Sequence, residues 1–267
     1  MKILALGDIY AKLGRETVAK ILPDLKKEFE VDLVIANSEN LTHGSGFTKK
    51  HIKEMQDAGV DFFTTGNHAF SRQSSVDMFN EDHCPVIRPA NYPCKERTPG
   101  KGYVILETKK GQKVLLVNIL GQAFIRQDLN SPLHTIDEIL EENKGHDFDA
   151  IIVDFHAEAT AEKYAFAFYL DGKVSGIFGT HTHVPTADER ILPNGTAFIC
   201  DVGMSGSYNS VIGIKKEIAI HNMRTQMARK HEPEEQGDTV FNAVLMDIDT
   251  KTKKALNIMH IQKVLKK

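Results

Sequence analysis

The strongest constraint on the fold is a series of short apolar runs, each closed by a polar cluster and separated by segments of helical period. Lys2 to Leu6 reads as a buried strand that stops at Gly7-Asp8. From Gly14 to Glu30, Val18, Ile21, Leu22, Leu25 and Phe29 recur every three or four positions, as on one helix face. Asp32 to Ala36 is a second apolar run, closed by Asn37-Ser38-Glu39-Asn40. Thr48 is suited to cap a helix running through Ala58, with Gly59 as its stop. Val60 to Thr64 is a third strand, closed by Gly66-Asn67-His68. Strand, helix, strand, helix, strand at this spacing predicts an α/β fold built on a βαβαβ unit with a parallel sheet.

The remainder is less regular. Pro85, Pro89, Pro93 and Pro99 mark a loop-rich connection from Cys84 to Lys101. Tyr103 to Glu107 and Lys113 to Asn118 read as a strand pair, and Pro132 to Asn143 as a helix. Ala150 to Phe155 is a buried strand closed by His156, followed by a helix over Ala157 to Leu170. Val174 to Phe178 is another, closed by Gly179-Thr180-His181-Thr182-His183. Asn194-Gly195 between Glu189–Leu192 and Thr196–Cys200 is a hairpin signal. Ile214 to Met227 reads as a helix, and 229–238 as a charged, solvated loop. Thr239 to Asp247 and Ala255 to Leu265 read as an antiparallel pair. No internal repeat interrupts the 267 residues, and they are read as a single domain, 1–267.

Composition narrows the function classes. Lys and Arg number 33 against 36 acids, so a stable complex with nucleic acid driven by charge is not expected. No apolar run approaches the length of a membrane span, and the N-terminal run is too short for a signal peptide. Cys84, Cys94 and Cys200 are odd in number and lack a paired motif, as expected of reduced thiols in a cytoplasmic protein. Twelve histidines against three cysteines direct attention to imidazole chemistry.

Five of the apolar strands end in Asp8, in Glu39-Asn40, in Asn67-His68, in His156, and in His181 and His183. Ligand sites of α/β sheets lie outside the carboxyl ends of strands, so these side chains can meet at one rim. Two carboxylates, two amides and four imidazoles suit divalent cations of hard or borderline character. Singly, each has a plainer reading: Asp8 as a turn acceptor, Glu39 as an acid at a helix start, Asn67 as a turn residue, His156 as a structural histidine. Period-two alternation would put His181 and His183 on one strand face. Other residues are open between roles. Thr180 and Thr182 read as turn supports. Glu158 reads as a neighbour of a ligand or an acid at a helix start. Asp201 is placed to bond a ligand histidine. Arg72, Arg88 and Arg126 read as phosphate contacts or surface ion pairs. Gly203, Gly206 and Gly213 suit a flexible loop, and Phe62, Phe63, Phe166 and Phe168 suit the core.

Taken in order, Gly7-Asp8, Gly66-Asn67-His68, His156 and Gly179-Thr180-His181-Thr182-His183 resemble the signature blocks of the calcineurin-like metallophosphoesterases. Two departures stand out. Tyr10 occupies the position of the histidine in the family's D-x-H block, and Glu39, with Asn40 beside it, that of the bridging aspartate. Asn37-Ser38-Glu39-Asn40 and Asp201-Val202-Gly203-Met204-Ser205-Gly206 are similar to the YmdB-like branch of that superfamily. The resemblance implies a β-sandwich of mixed sheets flanked by helices, with an antiparallel C-terminal part. It implies two divalent or mixed-valence metals bridged by Glu39, with iron or manganese favoured and zinc a further candidate. Asp8, Asn40 and His183 would complete one site, and Asn67, His156 and His181 the other. A metal-bridging hydroxide would attack phosphorus, and His68 would protonate the leaving oxygen.

The implied activity is hydrolysis of phosphodiesters, 2′,3′-cyclic nucleotides in particular, by a homo-oligomer. Two other readings stand beside it. One is a phosphomonoesterase acting on nucleotides or phosphoproteins. The other is a regulatory metal-binding protein with weak hydrolase activity, which the Asn67-His68 pair disfavours because a structural site needs no proton donor. An amidohydrolase barrel is disfavoured because its paired histidines sit on the first strand.

Overall fold

The structure is a computed structural model that describes residues 1–94 and 97–266; Lys95 and Glu96 of the proline-marked loop, and Lys267 at the end of the chain, lie outside them. In chain order the elements are β1 (Lys2–Asp8), α1 (Ala11–Glu28), β2 (Leu33–Asn37), α2 (Lys49–Asp57), β3 (Phe62–Thr64) and α3 (Gln73–Phe79). Then come β4 (Tyr103–Glu107), β5 (Lys113–Leu120), α4 (Pro132–Glu142), β6 (Ala150–His156), α5 (Thr160–Leu170) and β7 (Gly176–Thr180). The last third supplies β8 (Arg190–Ile191), β9 (Ala197–Ile199), β10 (Gly206–Ser207), α6 (Lys216–Thr225), β11 (Thr239–Ile248) and β12 (Ala255–Leu265).

Two six-stranded mixed sheets pack face to face. In the first, β1, β2 and β3 run parallel, and β11 joins β1 antiparallel with Leu4 opposite Leu245. β12 extends β11, and β10 pairs with the start of β11. The second sheet runs in the order β4-β5-β6-β7-β9-β8, parallel from β5 through β9. Alternation along β1 explains why its run is apolar throughout. Leu4 and Leu6 face α1 and its Val18, Leu22 and Leu25. Ile3 and Ala5 face the second sheet, among Val114, Leu116, Ile152, Phe178 and Ile199. Helices α4 and α5 close the far side of the second sheet, with Phe155 stacked on Phe166 at 4.0 Å between ring centroids.

The expected α/β core and antiparallel C-terminal pair are present, and local chemistry sets the ends. Thr48 accepts from the His51 N–H and starts α2, while Ser131 does the same for α4 through His134. The helix after β6 begins at Thr160 rather than Ala157, because Ala159 keeps an extended backbone. Three elements or placements differ from the sequence reading. Strand β10 and helix α3 were not expected. Phe168, expected in the core, is 52% exposed. It lies on the open side of α5, where the Arg190 guanidinium covers its ring at 5.6 Å. No helix among the described residues is long and apolar enough to cross a membrane.

Candidate metal centre

The parallel strands of both sheets end at one rim, and the site is assembled from their carboxyl ends. Asp8 closes β1, Glu39 and Asn40 follow β2, and Asn67 and His68 follow β3. From the other sheet, His156 closes β6, and His181 and His183 follow β7. At this rim the space between the sheets turns polar. The Asn37 amide donates to Asp154 Oδ2 at 3.2 Å, the Thr64 hydroxyl donates to the same oxygen, and the Thr65 N–H donates to Asn118 Oδ1 at 3.1 Å.

The two histidines after β7 do not share a strand face. The strand ends at Thr180, and His181 and His183 take left-handed backbone, with φ of 106° and 65°. Their turn leaves the ladder because its amides are claimed by carboxylates. The His181 N–H donates to Asp8 Oδ2 at 3.1 Å, and the Thr182 N–H to Asp201 Oδ2 at 3.0 Å. The two rings therefore diverge, His181 toward Glu39 and His156, His183 toward Asp8 and Asn40.

Around His156 Nε2 lie Asn67 Oδ1 at 3.0 Å, His181 Nδ1 at 3.0 Å and Glu39 Oε1 at 3.2 Å. The ring hydrogens are accounted for elsewhere. The Thr180 hydroxyl donates to Asp154 Oδ1 at 2.7 Å, so it accepts from His156 Nδ1–H at 2.9 Å. The Glu158 carboxylate lies 3.1 Å from His181 Nε2 and takes that hydrogen. Neutral rings held this way present His156 Nε2 and His181 Nδ1 as bare lone pairs that face each other and two oxygens. Ligand atoms ~2.1 Å from a cation and at right angles to one another lie ~3.0 Å apart, the spacing found here.

The second group is built the same way. His183 Nδ1–H donates to the Ile212 carbonyl at 2.9 Å, which turns Nε2 toward Asn40 Oδ1 at 3.1 Å and Asp8 Oδ1 at 3.7 Å. The Asn40 amide donates to the Gly44 carbonyl at 3.0 Å, which aims its oxygen inward. Asp8 Oδ1 is buried without a hydrogen-bond partner, an expensive state for a carboxylate that a cation relieves. A Cβ at Gly66 would collide with both His156 Nε2 and Glu39 Oε2, so the cradle tolerates only glycine. Both donor sets fit divalent cations.

The same lone pairs also compete for protons, and burial and neighbouring charge set these groups against one another. Burial works to raise Asp8, but the imidazoles of His183, 3.7 Å from Oδ1, and of His156 hold it below the usual carboxylate range. Burial likewise opposes ionisation of Glu39, and His156 outweighs it. On His156, burial is outweighed by the Glu39 charge and hydrogen bond, which bring the imidazole up to about 9. His181 falls to about 4 through burial and the neighbouring His156 charge.

A cavity of about 770 Å³ opens over both groups, lined by Tyr10, Asn40, His68, Glu158, His181 and His183 among others. The His68 N–H donates to Glu39 Oε2 at 2.9 Å, and its ring Nδ1 lies 3.1 Å from Ser71 Oγ and 3.3 Å from Ser45 Oγ. Tyr10 meets the His183 ring edge-on at 5.4 Å, and burial pushes its hydroxyl up to about 12, so it offers no anionic ligand. Lys230, His231, Glu232 and Pro233 also line the cavity, so part of the segment read as a solvated loop forms its wall.

Other expectations are corrected. Asp201 does not bond a ligand histidine but pairs with Lys163 Nζ at 2.7 Å, both side chains 1% exposed. Arg72 donates to the Ser45 and Thr42 carbonyls and holds the loop beside the cavity. Arg88 is buried away from the rim, and Arg126 is exposed. Gly203 and Gly213 are not slack: a Cβ at Gly213 would collide with the Tyr10 ring at 2.5 Å. The sequence reading missed Asn37 and Asp154. Burial raises Asp154 to about 7, against the pull of His156, Thr64 and Thr180. An acid inside the apolar run of β6 was the available signal.

Comparison with known proteins follows the same line. The family model described as YmdB-like protein matches residues 4–261. The chain is 40% identical over 261 residues to the 2′,3′-cyclic-nucleotide 2′-phosphodiesterase of Bacillus subtilis (strain 168), covering 98% of this chain and 96% of that protein. Two crystal structures match at a TM-score of 0.91 and 37% identity. One is a hypothetical protein from Thermus thermophilus, with 99% of both chains covered. The other is a novel phosphatase from Mycoplasma pneumoniae, with 99% of this chain and 93% of that one covered.

Proposed function

This chain belongs to the YmdB-like family, and from that premise we propose that it is a dinuclear-metal phosphodiesterase acting on 2′,3′-cyclic nucleotides. The observation that carries this reading is the pair of donor groups at one rim. Each is a set of nitrogens and oxygens whose lone pairs converge, and one buried carboxylate oxygen has no other partner. We assign Asn67, His156 and His181 to one ion, Asp8, Asn40 and His183 to the other, and Glu39 to both. Iron or manganese suits this thiolate-free set.

Held by these residues, two divalent ions would supply positive charge to a phosphate and would lower the pKa of a water. The protein's own part is positioning and proton transfer. Thr180, Glu158 and the Ile212 carbonyl each fix one ring tautomer, so the three imidazoles present the correct nitrogen. Ser71 and Ser45 hold His68 Nδ1 and leave Nε2 to protonate the departing ribose oxygen. We read residues 1–267 as one metallophosphoesterase domain, since the site takes residues from both sheets.

Elemental analysis of the purified protein, followed by a panel of cyclic and linear nucleotides, tests the proposal. Two equivalents of transition metal and turnover of a 2′,3′-cyclic nucleotide are expected. Turnover confined to monoesters would replace the substrate class, and full activity after exhaustive chelation would end the metal assignment.

A further inference from the structure

Arg88 is a cation in the wrong company. It is 4% exposed, and a buried guanidinium is normally matched by a carboxylate. Among the described residues none pairs with it. Its Nη1 donates to the carbonyls of Pro89 at 2.8 Å and Ala90 at 3.2 Å, while the buried Nε–H has no acceptor. Those two carbonyls belong to its own loop and carry no net charge, so among the described residues no acid meets the positive charge. Burial accordingly pulls the group below its ordinary value.

The same side chain forms part of a cavity of about 630 Å³ between edge strand β4, helix α4 and the end of the proline-marked loop. Lys101 adds a second cation. Tyr103, Val104, Ile105 and Ile139 give apolar walls, and among the described residues Glu142 is the one acid of this lining, its carboxylate accepting from the Tyr103 hydroxyl at 3.3 Å. No described residue of this lining belongs to the metal rim. The volume suits a small organic molecule, and a planar fork of N–H groups suits an oxyanion.

We propose that this cavity is a second ligand site, which takes a small organic oxyanion, a carboxylate or a phosphate-type group on an apolar body, with its charged end on Arg88 and Lys101. The apolar body lies against Ile105, Ile139 and Tyr103. Glu142 faces solvent at the mouth and disfavours ligands with more than one separated anionic group.

Two probes separate the two sources: benzoate for a carboxylate, and phenylphosphonate for a phosphate-type group whose carbon–phosphorus bond the metal site cannot hydrolyse as an ester. Each is titrated to ~10 mM into the metal-loaded protein, above an affinity of ~1 mM, while the Ile105 and Ile139 methyl resonances are followed. At least one probe should shift both methyls saturably. Lys101→Glu reverses an exposed charge without touching the core, and should weaken that binding by tenfold or more. It should leave cyclic-nucleotide hydrolysis unchanged. Arg88→Gln should abolish binding; Arg88→Lys, which keeps the charge but loses the fork, should weaken it if the former does not fold. A response to one probe alone identifies the oxyanion class. No shift with either probe, or equal binding to Lys101→Glu, overturns the site.

Discussion

Lys163 on α5 and Asp201 after β9 form a buried ion pair directly beneath His181, and together they hold the peptide groups on either side of it. Lys163 Nζ donates to the Thr180 carbonyl at 2.9 Å and to Asp201 Oδ2 at 2.7 Å. The same Asp201 oxygen accepts from the Thr182 N–H at 3.0 Å, and Oδ1 accepts from the Gly203 N–H at 2.9 Å. His181 sits between these anchors in a left-handed backbone that a non-glycine residue holds only when its surroundings fix it. Lys163→Met leaves Asp201 as a buried, unpaired charge. It should destabilise the protein by ~3–5 kcal/mol in urea unfolding. A loss under ~1 kcal/mol would mean that water reaches Asp201 and that the pair is not sealed.

Glu39→Gln keeps the shape of the side chain and removes its charge. Its Oε1 faces His156 Nε2 and its Oε2 accepts the His68 N–H, so the amide fits the space but donates where an acceptor is needed. The variant should purify with most of its metal lost and nearly all hydrolysis abolished. Elemental analysis and assay of a 2′,3′-cyclic nucleotide measure both, and an active, metal-replete variant contradicts the bridging role.

How much of this was readable in the sequence depends on what fixes each feature. Asp8, Glu39, Asn67, His156 and His181 were legible because a buried parallel strand must end in a loop, and a polar cluster there faces the rim. The partner of β1 across the sheet was not legible: β11 lies over two hundred residues away, and an apolar strand does not reveal its neighbour. The turn at His181 and His183 was misread, since alternation assumes the ladder continues, whereas Asp8 and Asp201 capture its amides. Arg88 was misjudged because charge in a sequence reads as surface, and Asp201 because its place after a strand suggested a ligand histidine as its partner. Only the fold reveals that Asp201 meets Lys163 in the interior and that Arg88 meets no acid among the described residues.

His68→Ala should leave the metals in place, because the ring contributes no atom to either donor group. Its contacts are Ser45 and Ser71, and its backbone N–H to Glu39 survives the change. Turnover should fall by ~10²–10⁴, the range for loss of a general acid. A substrate with a good leaving group, such as an aryl phosphodiester, should suffer less than a cyclic nucleotide. Loss of metal from this variant would show that His68 is structural.

Thr180→Val is nearly isosteric and acts only through hydrogen bonding. It removes the acceptor for His156 Nδ1–H and the donor to Asp154 Oδ1. His156 then has no reason to keep its hydrogen on Nδ1, and the tautomer with hydrogen on Nε2 cannot ligate. Metal affinity should fall ~10–100-fold by competition with a chromophoric chelator. Unchanged affinity would mean that the Thr180 hydroxyl does not set the tautomer, since the Asn37 amide N–H, 3.4 Å from the same nitrogen, can only donate to it.

Removing metal should lower thermal stability as well as activity. Asp8 and Glu39 are 0% and 1% exposed and lie among imidazole nitrogens, so the rim depends on positive charge held between the two sheets. A ligand present at ~100 times its dissociation constant stabilises the folded state by ~2.7 kcal/mol. For a chain of this size that corresponds to a melting shift of ~5–10 °C. Chelation followed by dialysis should produce the drop, and manganese should reverse it. Glu39→Gln should melt at one temperature with or without manganese, because the site that responds is gone. A wild-type melting point indifferent to chelator, in protein shown by elemental analysis to have lost its metal, would mean that the donor groups are held by their hydrogen bonds alone.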